Sequence, residues 1–161
     1  MTPLPGLRHE LACATRDATL VFARRLAGVL RAGDTLLLEG DLGAGKSEIA
    51  RAIIQELMGA AVEVPSPTYT LVQHYTAPQG GILHADLYRL NGADELVELG
   101  LDDALGQVLL LVEWPERAGP GWFPASSLTL KIAIGQGEAR VLQLCGDAAW
   151  ADRLARLINH S

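Results

Sequence analysis

Eight consecutive residues, from Gly40 to Ser47, have the types and spacing needed to bind phosphate. They read Gly-Asp-Leu-Gly-Ala-Gly-Lys-Ser and satisfy the pattern G-x-x-x-x-G-K-[ST] in full. Glycines let successive backbone N–H groups turn toward an anion and keep Cβ atoms away from its oxygens. In such a loop Lys46 would reach the outer phosphates, and the Ser47 hydroxyl would bind Mg²⁺. The residues predicted to contact the nucleotide here are Asp41, Leu42, Gly43, Ala44, Gly45, Lys46 and Ser47.

Two acids at the ends of apolar runs could complete a metal site. Asp86 follows the run from Ile82 to Ala85, and Glu113 follows the run from Val108 to Val112. In sheets of this kind the carboxyl ends of the strands face the phosphate loop, so both carboxylates are predicted to point toward the metal and the γ-phosphate. The alternative is that both are solvated acids at strand ends.

A tryptophan, a threonine and two histidines are further candidates for the site. Trp114 follows Glu113, and its ring would either lie against the nucleotide or cover the end of the strand. Thr68 follows the rigid segment Pro65-Ser66-Pro67, where switch loops often present a hydroxyl to the γ-phosphate, although a plain loop threonine is the simpler interpretation from the residues alone. The histidines at positions 74 and 84 lie on strand patterns, where packed histidines are commoner than reactive ones.

The elements around the loop have the order that a phosphate site requires. Apolar residues at helical spacing predict a helix over residues 15–30, with Thr15 as its N-cap. A short apolar strand over 35–39 and a helix over 46–57 then flank the glycine loop. Strand, glycine loop and helix are the unit on which nucleotide phosphates bind.

The rest of the chain predicts an α/β protein. Its predicted parts are a hairpin of strands 70–75 and 82–86 joined by residues 77–81, short helices over 93–99 and 102–105, a strand over 108–113 covered on both faces, a hairpin of strands 128–134 and 139–144 with one wet face, and a helix over 147–158. Together they predict a P-loop NTPase-like three-layer fold with a mixed, mainly parallel central sheet and a C-terminal β-hairpin and helix. We expect one domain spanning residues 1–161.

The charge and the apolar runs of the chain limit which partners and which cellular compartment we expect for it. The 161 residues carry a formal net charge of −6, which argues against extensive direct contact with a nucleic-acid backbone. Apolar runs stay shorter than the roughly 18 residues of a membrane span, and the first ten residues do not resemble a signal peptide, so a cytoplasmic protein is expected. Cys13 and Cys145 match no metal-ligand spacing and are expected to be ordinary thiols.

Four blocks of the sequence, in order and with fitting spacing, resemble the bacterial TsaE (YjeE) ATPases, and the resemblance covers nearly the whole chain. The blocks are Gly40–Ser47, Ser66–Val72, His84–Leu90 and Leu111–Pro115. The resemblance implies that the loop binds ATP, that Ser47 and Glu113 are Mg²⁺ ligands and that Asp86 is needed for hydrolysis. It also implies that Thr68 belongs to a switch-like loop over the γ-phosphate.

The family resemblance also implies a biological setting. Members support threonylcarbamoyladenosine modification of tRNA, docking on the TsaB and TsaD proteins, and the tRNA is reached only through that complex. Two positions depart from the family pattern: Ser47 stands where threonine is usual, and Glu48 stands where a small hydroxyl residue is usual. Glu48 adds a negative charge to the first turn of the phosphate helix, which could alter affinity or rate. The turn Gly135–Gly137 and the loop near Thr15 are expected to approach the nucleotide.

Two other function classes fit part of the pattern. A nucleotide-dependent binding module that never hydrolyses ATP would need the loop but not the set Ser47, Asp86 and Glu113. A small-molecule kinase would need an acceptor site and commonly an arginine-rich lid, for which the sequence has no basic cluster. A GTPase is disfavoured because the guanine-reading motif N-K-x-D does not occur.

Overall fold

The computed structural model describes residues 6–59, 63–65 and 71–159. Its elements alternate between strands and helices, as an α/β chain requires. In chain order they are β1 (Leu7–Cys13), α1 (Arg16–Ala27), β2 (Thr35–Gly40), α2 (Lys46–Met58), β3 (Val72–Ala77), β4 (Gly80–Asp86), α3 (Asp94–Glu98), α4 (Leu101–Ala104), β5 (Leu109–Glu113), a 3₁₀ turn (Pro115–Ala118), β6 (Leu128–Ile134), β7 (Arg140–Gly146), α5 (Ala148–Arg153) and α6 (Ala155–Asn159).

The described strands form one seven-stranded sheet in the order β1-β7-β6-β2-β5-β4-β3. The four inner neighbours β6, β2, β5 and β4 pair in parallel, while β3 and β7 pair antiparallel with their neighbours. Five strands therefore run in one direction and two in the other. This confirms the predicted mixed, mainly parallel sheet, and it places the carboxyl ends of β2, β4 and β5 along one edge.

Helices cover both faces of the sheet, which confirms the three-layer prediction. On one face α1 and α2 pack against alternate residues of the central strands, such as Leu36, Leu38 and Leu111. On the other face α3 and α4 cover Leu110 and Val112. All five residues of β5 are buried because it lies in the middle of the sheet with a layer on each side.

The helices that flank the loop begin where the sequence predicts. Thr15 caps α1, its side-chain oxygen accepting from the N–H of Ala18 at 3.1 Å. The cap of α2 at its far end is Gly59, in the left-handed conformation with φ 72°. The predicted limit of α1 at residue 30 is too long, because the helix ends at Ala27 and Gly28 is its C-cap.

The two hairpins are present with shifted limits. Strands β3 and β4 extend into the predicted connection, so that only Pro78 and Gln79 remain in the turn. The start predicted at Thr70 lies outside the described residues. The second hairpin pairs β6 with β7 as predicted, and Lys131 and Ala133 point to its exposed face.

The structure differs from the sequence analysis at both ends of the sheet-and-helix region. The final helix is interrupted at Leu154, giving the short helices α5 and α6. Strand β1 was not predicted from the sequence, and it adds to the edge of the sheet by pairing antiparallel with β7.

Both cysteines are free thiols, as expected, with Cys13 buried. Within the described ranges, no helix combines the length and apolarity that crossing a bilayer would require.

Candidate nucleotide site

The phosphate-binding loop lies between the end of β2 and the start of α2. Gly43 and Gly45 have φ angles of 84° and 110°, in the left-handed region that glycine adopts without strain. A Cβ atom at Gly40 would lie 2.8 Å from the carbonyl oxygen of Ile132, so this position requires glycine for close packing against β6. The loop therefore has the backbone that its sequence pattern predicts. Leu42 at its tip is 75% exposed.

Lys46 lies across its own loop. Its Nζ donates to the carbonyl oxygen of Gly40 at 2.5 Å and to that of Asp41 at 3.0 Å. The ammonium also lies 4.0 Å from the centre of the Trp114 ring, in a cation–π contact. Burial lowers the pKa of Lys46, and the nearby carboxylates of Glu113 and Glu116 oppose that shift. The lysine is thus held by groups that phosphate oxygens can replace.

The two predicted acids meet at the carboxyl edge of the sheet. Asp86 ends β4 and Glu113 ends β5, and the two are register partners in the parallel pairing of these strands. Glu113 is buried, and its Oε1 accepts from the Ser47 hydroxyl at 2.7 Å. The structure therefore brings Ser47, Asp86 and Glu113 together beside the loop.

Asp86 is a buried carboxylate that accepts a hydrogen bond from the backbone. Its Oδ1 accepts from the N–H of Tyr88 at 3.0 Å, and its own N–H donates to Leu71. Burial raises the pKa of Asp86, and the charge of Glu113 raises it further, while the hydrogen bond from Tyr88 lowers it. Two acids this close favour a cation between or beside them.

These groups open into one cavity of about 430 Å³. Its lining contains eight of the predicted site residues together with three neighbours, Glu48, Tyr88 and Arg89. The lining residues are Leu42, Gly43, Gly45, Lys46, Ser47, Glu48, Asp86, Tyr88, Arg89, Glu113 and Trp114.

Trp114 joins the cavity through an aromatic contact. Its backbone is left-handed, with φ 58°, a conformation that costs a non-glycine residue about 1–3 kcal/mol. In that position the ring lies 4.9 Å from the ring of Tyr88, on whose face the Arg117 guanidinium lies at 5.2 Å. The ring thus lines the cavity and packs against the buried cluster on the α3–α4 face of the sheet, while its contact with a nucleotide stays a prediction.

A second cavity, of about 140 Å³, lies on the other side of the loop, toward α1 and the β6–β7 turn. Arg16 and Gly137 line it together with Gly43 and Gly45, so both segments expected near the nucleotide do reach the loop. Here Arg16 Nε donates to Glu48 Oε2 at 2.9 Å. The unusual acid at position 48 is therefore paired, although the pair is well exposed and contributes little to stability.

Two site residues were missed or set aside from the sequence. Arg140 on β7 donates from Nε to the carbonyl oxygen of Ala44 at 2.9 Å and from Nη1 to those of Gly137 and Ala139. His84 on β4 lies 2.7 Å from Glu113, Nε2 to Oε2. Strand parity could have indicated His84, because it shares a face with Asp86 two residues on. Thr68 lies outside the described residues.

The donor set fits Mg²⁺. Ser47 and Glu113 supply hard oxygen atoms that are already in contact, and Asp86 adds a third at the next strand. No cluster of three or more His, Cys, Asp or Glu side chains is placed to hold a metal among the residues described. Mg²⁺ fits such a site because it commonly takes one or two protein ligands and completes its shell with phosphates and water.

The fold and the loop define this chain as having a P-loop NTPase-like architecture. Comparison with solved structures supports this: the crystal structure of Bacillus subtilis YdiB superposes with a TM-score of 0.73 over 97% of each chain, at 25% identity.

The family model for the threonylcarbamoyl adenosine biosynthesis protein TsaE matches residues 13–142. The TsaE protein of Rickettsia bellii is 42% identical over 110 residues, which cover 68% of this chain and 76% of that relative. The TsaE protein of Aquifex aeolicus is 33% identical over 115 residues, covering 71% and 82%. The chain belongs to the TsaE family of tRNA threonylcarbamoyladenosine biosynthesis.

Proposed function

We propose that this chain is an ATPase that hydrolyses Mg·ATP on the loop Gly40–Ser47. The observation that carries the proposal is the meeting of Ser47, Glu113 and Asp86 at the carboxyl edge of the sheet, within one cavity with Lys46. A loop that only bound phosphate would not need two buried acids at the metal position, since each costs desolvation energy.

Each residue then has a distinct task. The loop N–H groups and the start of α2 bind the phosphates, and Lys46 leaves the carbonyls of Gly40 and Asp41 to contact the outer ones. Ser47 and Glu113 hold Mg²⁺, which neutralises charge on the phosphate oxygens. Asp86 orients the attacking water. Thr68 remains our predicted contact for the γ-phosphate.

The positions of the two cavities support one orientation for the nucleotide in this proposal. The acids and Ser47 mark the end that holds the metal and the γ-phosphate. The α-phosphate and nucleoside then extend toward the cavity lined by Arg16, Gly137 and Arg140. Trp114 contacts the phosphate end.

We further propose that the isolated ATPase is weak and that hydrolysis resets a complex of TsaB and TsaD. Arginine fingers can add about 10³–10⁵ in rate. Arg89 lines the cavity, whereas Arg117 is not among its lining residues and lies 5.2 Å from the centre of the Tyr88 ring. A partner that rearranges the cavity would complete the site. The modification is that of adenosine 37 in tRNAs that read codons beginning with A.

The acidic charge of −6 supports a role in which tRNA is contacted only through the partners. We expect this assembly to work in the cytoplasm. The non-hydrolysing binding module is the second candidate, and a small-molecule kinase is the least favoured one because the cavity presents acids rather than an arginine-rich lid.

The test is release of phosphate from Mg·ATP by the purified chain, alone and with TsaB and TsaD. We expect slow release that the partners change, and a loss of about 100-fold or more in Lys46→Ala and in Glu113→Ala. The chain has only two lysines, so Lys131→Ala is the matched control for the loss of a lysine charge. Glu56→Ala, an exposed position on α2, is the control for Glu113→Ala.

Both controls should release phosphate at the wild-type rate. Tight ATP binding without release under any condition would overturn hydrolysis and leave the binding module. Transfer of phosphate to a small molecule would indicate the kinase.

A further inference from the structure

His84 is a buried polar residue that the proposed reaction does not yet use. It is 1% exposed, and its Nε2 lies 2.7 Å from Oε2 of Glu113, whose side chain is 3% exposed. The contact joins β4 to β5 across the parallel pairing, from a residue two positions before Asp86. The contact with Glu113, a candidate metal ligand, explains why a polar side chain stands at this buried position.

The Glu113 carboxylate is held at both oxygens. Oε1 accepts from the Ser47 hydroxyl, and Oε2 contacts His84. Toward a carboxylate, which has no hydrogen to donate, Nε2 would act as the donor. With both oxygens engaged, rotation about the terminal bond of Glu113 is restricted and Oε1 keeps facing Ser47.

We propose that His84 is a positioning residue that fixes the Glu113 carboxylate for metal binding. The inference rests on the proposed function, because it assigns Glu113 to Mg²⁺. Partners of metal ligands commonly act this way, and their removal costs about 10- to 100-fold in metal affinity or activity. Metal-free nucleotide binding depends on the loop amides and Lys46, so it should not depend on His84.

Three substitutions separate the hydrogen bond from packing. In His84→Gln the amide nitrogen takes about the place of Nε2 and can still donate to Glu113. In His84→Asn the amide nitrogen takes about the place of Nδ1 and falls short of it. His84→Leu removes the hydrogen-bond donor and fills its place with an apolar side chain of similar bulk.

The experiment is titration of Mn²⁺ onto the full chain bound to a non-hydrolysable ATP analogue, followed by electron paramagnetic resonance. We expect the dissociation constant for Mn²⁺ to rise about 10- to 100-fold in His84→Leu and His84→Asn and to stay within about 3-fold of wild type in His84→Gln. Binding of the analogue in EDTA should be the same in all four proteins.

A double-mutant cycle tests the route of the effect. In a Glu113→Gln background, His84→Leu should no longer weaken Mn²⁺ binding, because the group it positions has changed. Urea unfolding midpoints identify any variant that fails to fold. If His84→Leu does not fold, the comparison of Mn²⁺ affinity between His84→Gln and His84→Asn tests the inference.

Equal Mn²⁺ affinity in wild type, Leu and Asn variants would overturn the inference, as would an equal loss in Gln and Leu. These outcomes differ from failure of the proposed function. The wild-type chain could show the expected dependence of Mn²⁺ binding on His84 and Glu113 and yet never release phosphate. That result would support the positioning role of His84 and overturn the proposed ATPase activity.

Discussion

At the scale of residues, the site places two carboxylates where burial opposes their charge. Asp86 and Glu113 are both more than nine-tenths buried and lie opposite each other on paired strands. The raised pKa of Asp86 means that its ionised form is less favourable in the folded chain than in the unfolded one. The arrangement that prepares the site for a cation therefore reduces the stability of the chain alone.

This gives a prediction about pH. At neutral pH the raised pKa of Asp86 costs free energy of folding, and the cost disappears as pH falls through the raised pKa and below the ordinary value of 3.8, where both states carry the proton. Asp86→Asn should therefore raise the urea midpoint at pH 7, and its advantage over wild type should shrink in acid. Urea unfolding across this pH range measures the difference.

The matched control is Asp152→Asn, at an exposed position on α5, which should show no such pH-dependent gain. An Asp86→Asn protein that gains nothing at pH 7 would contradict the account.

The residues with strong local patterns could be named in advance. Lys46, Ser47, Asp86 and Glu113 follow from a fixed motif and from acids that end apolar runs, and the structure brings them together. His84 could not be assigned with the same force, because its partner lies 29 positions away and only strand pairing joins them. The functional roles of all five remain predictions.

At the scale of elements, those with a local sequence signal could be predicted, and those that depend on pairing between distant segments could not. Helix α1 carries its own start signal in Thr15, and β5 is a continuous apolar run, so both were predicted from local sequence. Strand β1 alternates half-buried and exposed positions, but His9 and Ala12 interrupt the apolar–polar alternation of its sequence. Its place depends on pairing with β7, more than a hundred residues away. Local patterns also gave no reason for the interruption of the last helix at Leu154.

The β6–β7 hairpin supports the phosphate loop through Arg140. One guanidinium joins the Ala44 carbonyl to those of Gly137 and Ala139, with distances of 2.8–3.0 Å. We predict that Arg140→Met weakens nucleotide binding in EDTA by about 10-fold, because the loop loses this support; hydrogen bonds from charged groups contribute about 1.5–3 kcal/mol. Isothermal titration with ATP measures the change.

Arg140→Lys should rescue little, since one ammonium does not reproduce the planar fork that spans loop and turn. An exposed arginine of α1, Arg24, provides the control as Arg24→Met. Unchanged affinity in Arg140→Met would mean that the loop holds its shape without the hairpin.

At the scale of the whole molecule, the C-terminal helices are tied to the start of the central strand. Arg153 of α5 donates to both carboxylate oxygens of Asp34, at 2.8 and 2.7 Å, and to the carbonyl oxygen of Val29. The hydrogen bond to Asp34 raises the pKa of Arg153, so the guanidinium is charged at neutral pH, where it pairs with the carboxylate.

We predict that Arg153→Met lowers the free energy of unfolding by about 2 kcal/mol, as expected for a partly buried, bidentate pair. Chemical denaturation at neutral pH measures it, with the exposed Arg156→Met as control. The effect should be much smaller in an Asp34→Asn background, and full additivity of the two substitutions would contradict the pairing.

Because Lys46 contacts the ring of Trp114, nucleotide binding at the proposed site should change the fluorescence of the protein. The indole ring now has a cation on its face and the Tyr88 ring at its side, and a bound triphosphate would draw that cation away. The emission of Trp114 should therefore change when ATP arrives, whereas Trp122 and Trp150 do not line the cavity and should give a steady signal. Trp150 is buried, and its indole N–H donates to the carbonyl oxygen of Ser126. For the proposed ATP site, Trp114 would be a built-in optical reporter of nucleotide occupancy, without a dye.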